Sequence, residues 1–178
     1  PYFNTSSDGK DNHRYSNNIS KIILDSEKNL WLCTGDGFWK FNTAGKSFKK
    51  VNGKPGTAYH PLCMTVFESS DKKMWFGNWQ YGLQQVDKTN DSIISYHQLP
   101  GYTQNVSNIT EMPGPNGQYI LLLNGSLQAF DPFQNKFIQL PKPTGMLEYP
   151  YISIANSSSD GWLWLGTNND GLFIGNPQ

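Results

Sequence analysis

The chain has 178 residues, with 14 Lys plus Arg against 14 Asp plus Glu. This balance excludes the one-signed surface charge that attracts nucleic acid or an anionic membrane. Charged residues amount to only 16%, aromatic residues reach 14% and glycine occurs 17 times, a composition that favours short strands and turns over helices.

The chain starts with Pro1 and continues Tyr-Phe-Asn, which is neither a signal peptide nor a methionine start. We therefore expect it to be an excised or processed piece of a longer protein. No stretch approaches the roughly 20 apolar residues that cross a bilayer, so we expect no direct membrane insertion by this segment.

Four similar units follow, at approximately 19–51, 62–97, 106–140 and 151–175. One position of the unit, here called the tryptophan slot, recurs after 44, 45 and 44 residues, at Trp31, Trp75, Ile120 and Trp164. A second position recurs at Phe38, Leu83, Leu127 and Leu172. A repeat of about 40–50 residues with four strand-like segments predicts an all-β propeller with one four-stranded antiparallel blade per unit. Residues 1–178 would then form one propeller domain, complete or partial.

Each unit divides into four predicted strands, A to D. Strand A is predicted at 19–25, 62–68, 106–112 and 151–156, and strand B carries the tryptophan slot. Strand C is predicted at 38–42, 83–87, 127–131 and 172–175, and strand D at 47–51, 92–97 and 136–140. Strand A is rich in β-branched and apolar residues, which predicts a strand covered on both faces.

Two stretches carry a family resemblance: Asp25-Ser-Glu-Lys-Asn-Leu-Trp-Leu-Cys-Thr-Gly-Asp-Gly-Phe-Trp-Lys-Phe in the first unit and Asp160-Gly-Trp-Leu-Trp-Leu-Gly-Thr-Asn-Asn-Asp-Gly-Leu in the fourth. Both resemble the two-component regulator propeller repeat, and four imperfect copies cover essentially the whole chain. The chain departs from the family pattern twice. Cys33 replaces a glycine in the first copy, and the third copy has lost both the tryptophan and the Gly-Thr pair.

The resemblance implies the extracytoplasmic sensor region of a bacterial hybrid two-component receptor, located in the periplasm. In such receptors propellers precede a β-sandwich, a membrane span and a histidine kinase, so a kinase would lie outside this chain. Many of these receptors report on polysaccharide breakdown products, which implies carbohydrate sensing and an oligosaccharide ligand. The other partners implied are further blades or domains of the parent receptor, or a second copy in a homodimer.

The fourth unit has no predicted strand D, and residues 1–5 resemble the end of one. We predict that these residues can supply the closing strand, because an unpaired sheet edge favours aggregation. Closure within one chain would give four blades, and closure between two chains would give eight. The third arrangement, which we favour, is an open segment of a larger propeller.

Sheet-to-sheet packing best explains Trp31, Trp75 and Trp164, because an indole buries about 150–250 Å² and can fill the wedge between neighbouring blades. Cys33 and Cys63 lie in predicted strands and outside any metal-binding motif. Buried free thiols are the leading interpretation for them, and a disulfide is the alternative.

No catalytic or metal-binding constellation emerges, and we expect neither enzyme activity nor a cofactor. The three histidines lie in loops or at a strand end, where a surface role is expected: His13, His60 and His97. Carboxylates recur at strand ends, which favours turn capping over paired-carboxylate catalysis: Asp25, Glu68, Asp87 and Asp131.

The B–C and D–A loops of a propeller share one edge, where binding residues from distant segments can converge. On that edge the second unit carries Asn78-Trp79-Gln80-Tyr81, a loop with two aromatic side chains. Aromatic faces with amide and carboxylate partners can stack on a sugar ring and bond its hydroxyls, so Trp79 is the leading ligand contact. The further candidates are Asn78, Tyr81, Asp36, Asn169, Asp170, Tyr59, His60, Tyr102 and Tyr149. The alternative for Trp79 is that it covers a junction between blades.

Two other functions stay open at this point. The segment could be a structural scaffold or dimerisation segment of the receptor, with the ligand bound elsewhere. It could also be a propeller lyase or lactonase, although the starts of strands A carry few of the His, Asp or Glu residues that such sites gather.

Overall fold

The computed structural model of the chain describes residues 18–51, 62–79, 81–96, 105–123, 127–141, 144–145, 152–158, 160, 162–167 and 171–175. Fifteen β-strands run through these residues. No helix in this part of the chain is long and apolar enough to span a membrane.

The strands form four sheets, each built from consecutive strands. The first contains β1 (Ile19–Leu24), β2 (Asn29–Thr34), β3 (Gly37–Asn42) and β4 (Ser47–Val51). The second contains β5 (Cys63–Glu68), β6 (Met74–Asn78), β7 (Gly82–Val86) and β8 (Ile93–Tyr96). The third contains β9 (Asn108–Gly114), β10 (Gly117–Leu123), β11 (Leu127–Asp131) and β12 (Lys136–Gln139). The fourth contains β13 (Ile152–Ser157), β14 (Leu163–Thr167) and β15 (Leu172–Gly175).

Every sheet is an antiparallel meander, and neighbouring sheets meet through their first strands. β1 contacts β5, β5 contacts β9, and β9 contacts β13. The sheets therefore fan out from their first strands as the blades of a β-propeller, which confirms the predicted fold. Among the predicted strands A, C and D, each observed strand begins and ends within two residues of the predicted segment.

Each junction between blades holds one apolar cluster. The first junction contains Trp31 and Phe38 against Val66 and Phe76. The second is formed by Trp75, Leu83, Val106, Ile109, Ile120, Phe130 and Phe137. The third places Met112, Tyr119, Leu127 and Ala129 against Leu163 and Leu165. The core is thus a series of interfaces between sheets, as the repeat predicts.

Two packing predictions fail at the outer blades. Trp31 and Trp75 are buried, as expected, but Trp164 is 44% exposed. Ile22 and Leu24 of β1 are exposed as well, although strand A was expected to be covered on both faces. The reason is the same at both ends, since in the described residues no blade packs before the first one or after the fourth.

Cys33 and Cys63 form a disulfide, so the expectation of free thiols was wrong. The bond joins β2 of the first blade to β5 of the second, with the two Cα atoms 5.1 Å apart. Spacing along the sequence gave no sign of it, because the two positions become neighbours only when the blades pack.

The carboxylates at strand ends act in two ways. Asp25, Asp87 and Asp131 accept hydrogen bonds from main-chain amides two to four residues further on, which confirms turn capping. Glu68 does not cap its own turn, which corrects that expectation. It accepts from the amide and hydroxyl of Ser26 in the preceding blade, both at 2.8 Å. The predicted closing strand at residues 1–5 lies outside the described residues.

Candidate functional site

The meander sorts the turns onto two opposite edges of the propeller. In an antiparallel blade the B–C turn lies at the opposite end of the strands from the A–B and C–D turns. Trp79 and Tyr81 therefore lie on the B–C edge of the second blade, and Asp36 lies on the same edge of the first. We call this surface the B–C edge.

Trp79 and Tyr81 flank the turn between β6 and β7, and both side chains reach solvent. Trp79 is 46% exposed and Tyr81 is 40% exposed. The Trp79 amide donates to the carbonyl of Leu62 at 2.9 Å, which ties the turn to the start of strand A in its own blade. Gly82 closes the turn with φ of 68°, a conformation that glycine adopts without strain. Two exposed aromatic side chains thus lie beside a main chain that is bonded to its own blade at Trp79.

Asn78 supports this turn from within the protein. Its side chain is fully buried, and Nδ2 donates to Oε1 of Gln84 at 2.7 Å. Gln84 in turn donates to the Ser95 hydroxyl at 2.7 Å, which extends the polar chain across three strands. The Asn78 carbonyl accepts from the amide of Val106 in the third blade at 3.0 Å. Asn78 therefore joins the turn to its own sheet and to the next blade.

The bond from the buried Gln84 to Ser95 was missed by sequence reasoning. The available signal in the sequence was Gln84 itself, a polar residue in the middle of a predicted strand. Asn78 Oδ1 is buried with no hydrogen-bond partner in the part of the chain that the structure describes.

Asp36 lies on the B–C edge of the first blade, where its charge is balanced locally. Its carboxylate pairs with the ammonium of Lys50 at 2.6 Å, and its amide donates to the Thr34 hydroxyl at 3.1 Å. Lys50 also lies over the Trp39 ring, 5.8 Å from the centroid. Asp36 is therefore an ion-paired group in a basic and aromatic setting.

Six candidate residues lie outside the described residues: Tyr59, His60, Tyr102, Tyr149, Asn169 and Asp170. The same holds for His13 and His97. For the six candidates, a place on the B–C edge stays a prediction.

The opposite edge carries an ionic cluster that the sequence did not reveal. Lys88 of the second blade is only 9% exposed, and its ammonium lies 2.5 Å from Glu68 and 3.7 Å from Asp25 of the first blade. Burial opposes ionisation of Asp25, but hydrogen bonds from Trp31 and Asn29 and the charge of Lys88 outweigh it, so the pKa of Asp25 lies below its ordinary value. Burial acts on Glu68 too, and Lys88 and Ser26 outweigh it, so the pKa of Glu68 is also lowered.

This ionic cluster joins two blades, since Asp25 and Lys88 belong to different sheets. In the described ranges no group of three or more His, Cys, Asp or Glu side chains is arranged to hold a metal ion. On the B–C edge, the aromatic side chains of Trp79 and Tyr81 face solvent.

No protein-family model and no curated protein matches the chain. Among solved structures, the extracellular domain of the hybrid two-component system BT4673 from B. thetaiotaomicron is 22% identical at a TM-score of 0.67, over 90% of this chain and 23% of that chain. The extracellular domain of BT3049 from the same organism is 22% identical at a TM-score of 0.66, over 89% of this chain and 20% of that chain. The WD40 β-propeller domain of Doa1 is 12% identical at a TM-score of 0.64, over 88% and 50%.

These likenesses show that the chain has the propeller fold. The chain spans less than a quarter of the length of the two receptor domains. A blade arrangement is therefore shared with extracellular domains of two-component systems and with a WD40 protein.

Proposed function

We propose that this chain is a non-catalytic ligand-binding propeller in the periplasmic sensor region of a two-component receptor, and that it responds to a carbohydrate fragment. Its fold matches extracellular domains of two such systems over nine-tenths of the chain. The disulfide between Cys33 and Cys63 supports an oxidising compartment, since disulfides persist outside the cytosol.

The exposed pair Trp79 and Tyr81 is the observation that carries this proposal. Large apolar side chains at a turn are not needed to close it, because Gly82 supplies the unusual backbone angle. Their rings give flat surfaces on which the C–H face of a sugar can stack, and their polar atoms can bond its hydroxyls. The anchored main chain reduces the entropy lost on binding.

Binding of neutral and acidic oligosaccharides to the chain tests the proposal, with isothermal titration calorimetry as the measurement. We expect at least one oligosaccharide to bind, and Trp79→Ala to weaken it by about tenfold or more, as for an aromatic anchor. The matched control is Trp162→Ala, which removes an equally exposed indole from a turn on the other edge. Unchanged affinity in Trp79→Ala would remove this residue from the site, and binding to no oligosaccharide would refute the carbohydrate assignment.

A second function, scaffolding within the receptor, is favoured by the fourth blade. Trp164, Leu172 and Ile174 are exposed on it, and Trp164 fills the slot that is buried in the first two blades. Such a face suits a further blade of the parent receptor. Adding the parent's neighbouring repeats should bury Trp164 and shift its fluorescence to shorter wavelength. An unshifted spectrum from Trp164 in the longer chain would refute the scaffold role for this face.

A further inference from the structure

A cleft opens between the second and third blades on the edge that carries the A–B and C–D turns, opposite the B–C edge. Its volume is about 340 Å³, and its floor consists of the buried side chains of Trp75 and Ile120. Its walls combine the A–B turn of one blade with two strands and the C–D turn of the next: Ser70, Asp71, Lys73, Glu111, Gln118, Pro132 and Phe133.

The repeat explains why this cleft is open. At the first junction the corresponding space holds the Lys88 side chain, which pairs with Asp25 and Glu68. Strand pairing places Pro132 of the third blade at the position of Lys88 in the second. Proline has no long side chain to extend across the junction, so the second junction keeps a hollow where the first has an ammonium group.

Phe133 stands at the mouth of this cleft and is 82% exposed. Its position in the C–D turn is taken by Ala44 in the first blade and by Thr89 in the second. The turn itself has the same hydrogen bond in both later blades, because the amides of Phe133 and Thr89 each donate to an aspartate at 2.8 Å. The fold therefore does not require an aromatic ring at this exposed tip.

The charged side chains of the cleft are already oriented by bonds to the protein. Glu111 accepts from the Ser70 amide at 2.9 Å and from its hydroxyl at 3.0 Å. Asp71 and Lys73 form an ion pair at 2.7 Å. A carboxylate has two oxygens, each of which can accept more than one hydrogen bond.

We propose that this cleft is a second ligand site, which takes a neutral sugar ring with one face on Phe133 and its hydroxyls toward Asp71, Glu111 and Gln118. An anionic ligand would meet two carboxylates, and a cationic ligand would meet Lys73 beside them. A neutral polyhydroxylated ring meets no like charge and can use both donors and acceptors. Its apolar face suits the aromatic ring, and its edge suits the polar walls.

The proposal does not depend on Trp79 as a ligand contact, because the two sites lie on opposite edges of the propeller. Saturation-transfer difference NMR on the full chain can test it, with the methyl glycosides of glucose, galactose, mannose and N-acetylglucosamine as probes. We expect at least one of these neutral glycosides to bind, and Phe133→Ala to weaken it by about tenfold.

Thr89→Ala is the matched control, since it truncates the same turn position in the second blade and should leave binding unchanged. Pro132→Lys restores the residue found at the first junction and should abolish binding by filling the cleft, while a thermal melt confirms that each variant is folded. Absence of binding by all four glycosides would overturn the proposal. So would glycoside binding that Phe133→Ala leaves intact, and if Trp79→Ala alone weakened it, only the B–C edge would be a sugar site.

Discussion

The first and fourth blades carry the same tryptophan in the same strand, but in opposite environments. Trp31 is completely buried against Phe76 of the second blade, with ring centroids 5.8 Å apart. Trp164 is 44% exposed. The repeat thus gives each blade an apolar face, and this face is buried only where a following blade packs against it.

The indole nitrogen shows how this face is built. Trp31 Nε1 donates to the Asp25 carboxylate at 2.7 Å, and Trp75 Nε1 donates to the Ser69 hydroxyl at 3.1 Å. Asp25 and Ser69 take equivalent positions after strand A, so the first and second blades each hold their own indole from the turn. Packing by the next blade then covers the ring. Mutations can therefore separate the stability contributed by the turn of the same blade from that contributed by packing of the next blade.

The largest expected contrast is between Trp75→Ala and Trp164→Ala. Removing a fully buried indole should lower the free energy of unfolding by about 3–5 kcal/mol. Removing the exposed one should change it by less than about 1 kcal/mol. Urea denaturation followed by far-UV circular dichroism measures both. Equal losses in the two variants would mean that the fourth blade's face is covered in solution.

The disulfide distinguishes the first junction from the second. Cys33 and Cys63 are 30 residues apart, so closing this loop restricts the unfolded chain and should contribute about 3–4 kcal/mol. We expect the double variant Cys33→Ala with Cys63→Ala to unfold at correspondingly lower urea. A reducing agent should destabilise the natural chain by a similar amount and leave the double variant unaffected. A natural chain insensitive to reductant would contradict a stabilising bond.

Much of the fold could be predicted because the same sequence pattern occurs four times. Each copy of the tryptophan slot and of the glycine after strand B supports the same assignment of strands. The assignment therefore holds even though the third copy has Ile120 in place of tryptophan. Turn capping by Asp25, Asp87 and Asp131 was predictable for a related reason, since it depends on residues only two to four positions away.

Features that arise between blades were not predictable from the same patterns. The disulfide and the bond from Ser26 to Glu68 join residues about thirty or forty positions apart, and their partners depend on how sheets face one another. The exposure of Trp164 depends on a neighbouring blade. The cleft beside Phe133 arises because proline replaces Lys88 in the repeat, a difference that has meaning only once the junctions are superimposed.

The hydrogen-bond partners of the two indoles, Asp25 and Ser69, should differ less in their contribution to stability. Asp25 is a buried carboxylate that accepts from Trp31 and from the amides of Glu27 and Asn29, so Asp25→Ala should cost about 2–3 kcal/mol. Ser69 is a neutral partner of Trp75, and Ser69→Ala should cost about 1 kcal/mol. Urea denaturation measures both variants at pH 7. A larger loss from Ser69→Ala would show that charge adds nothing at the first junction.

The smallest effect is the pH dependence of that same junction. The pKa values of Asp25 and Glu68 are lowered in the folded chain, because the bonds and the Lys88 charge outweigh burial. Their stabilisation is therefore complete above the pKa of the unfolded carboxyls, which is about 4, and is lost as the pH falls through the folded values. Between about pH 5 and pH 3 the Asp25→Asn variant should lose less stability than the natural chain, because one carboxylate no longer takes up a proton. Urea midpoints across this range measure the difference, and Ser69→Ala, which removes no charge, should follow the natural slope. Parallel slopes for Asp25→Asn and the natural chain would show that Asp25 titrates alike in the folded and unfolded states.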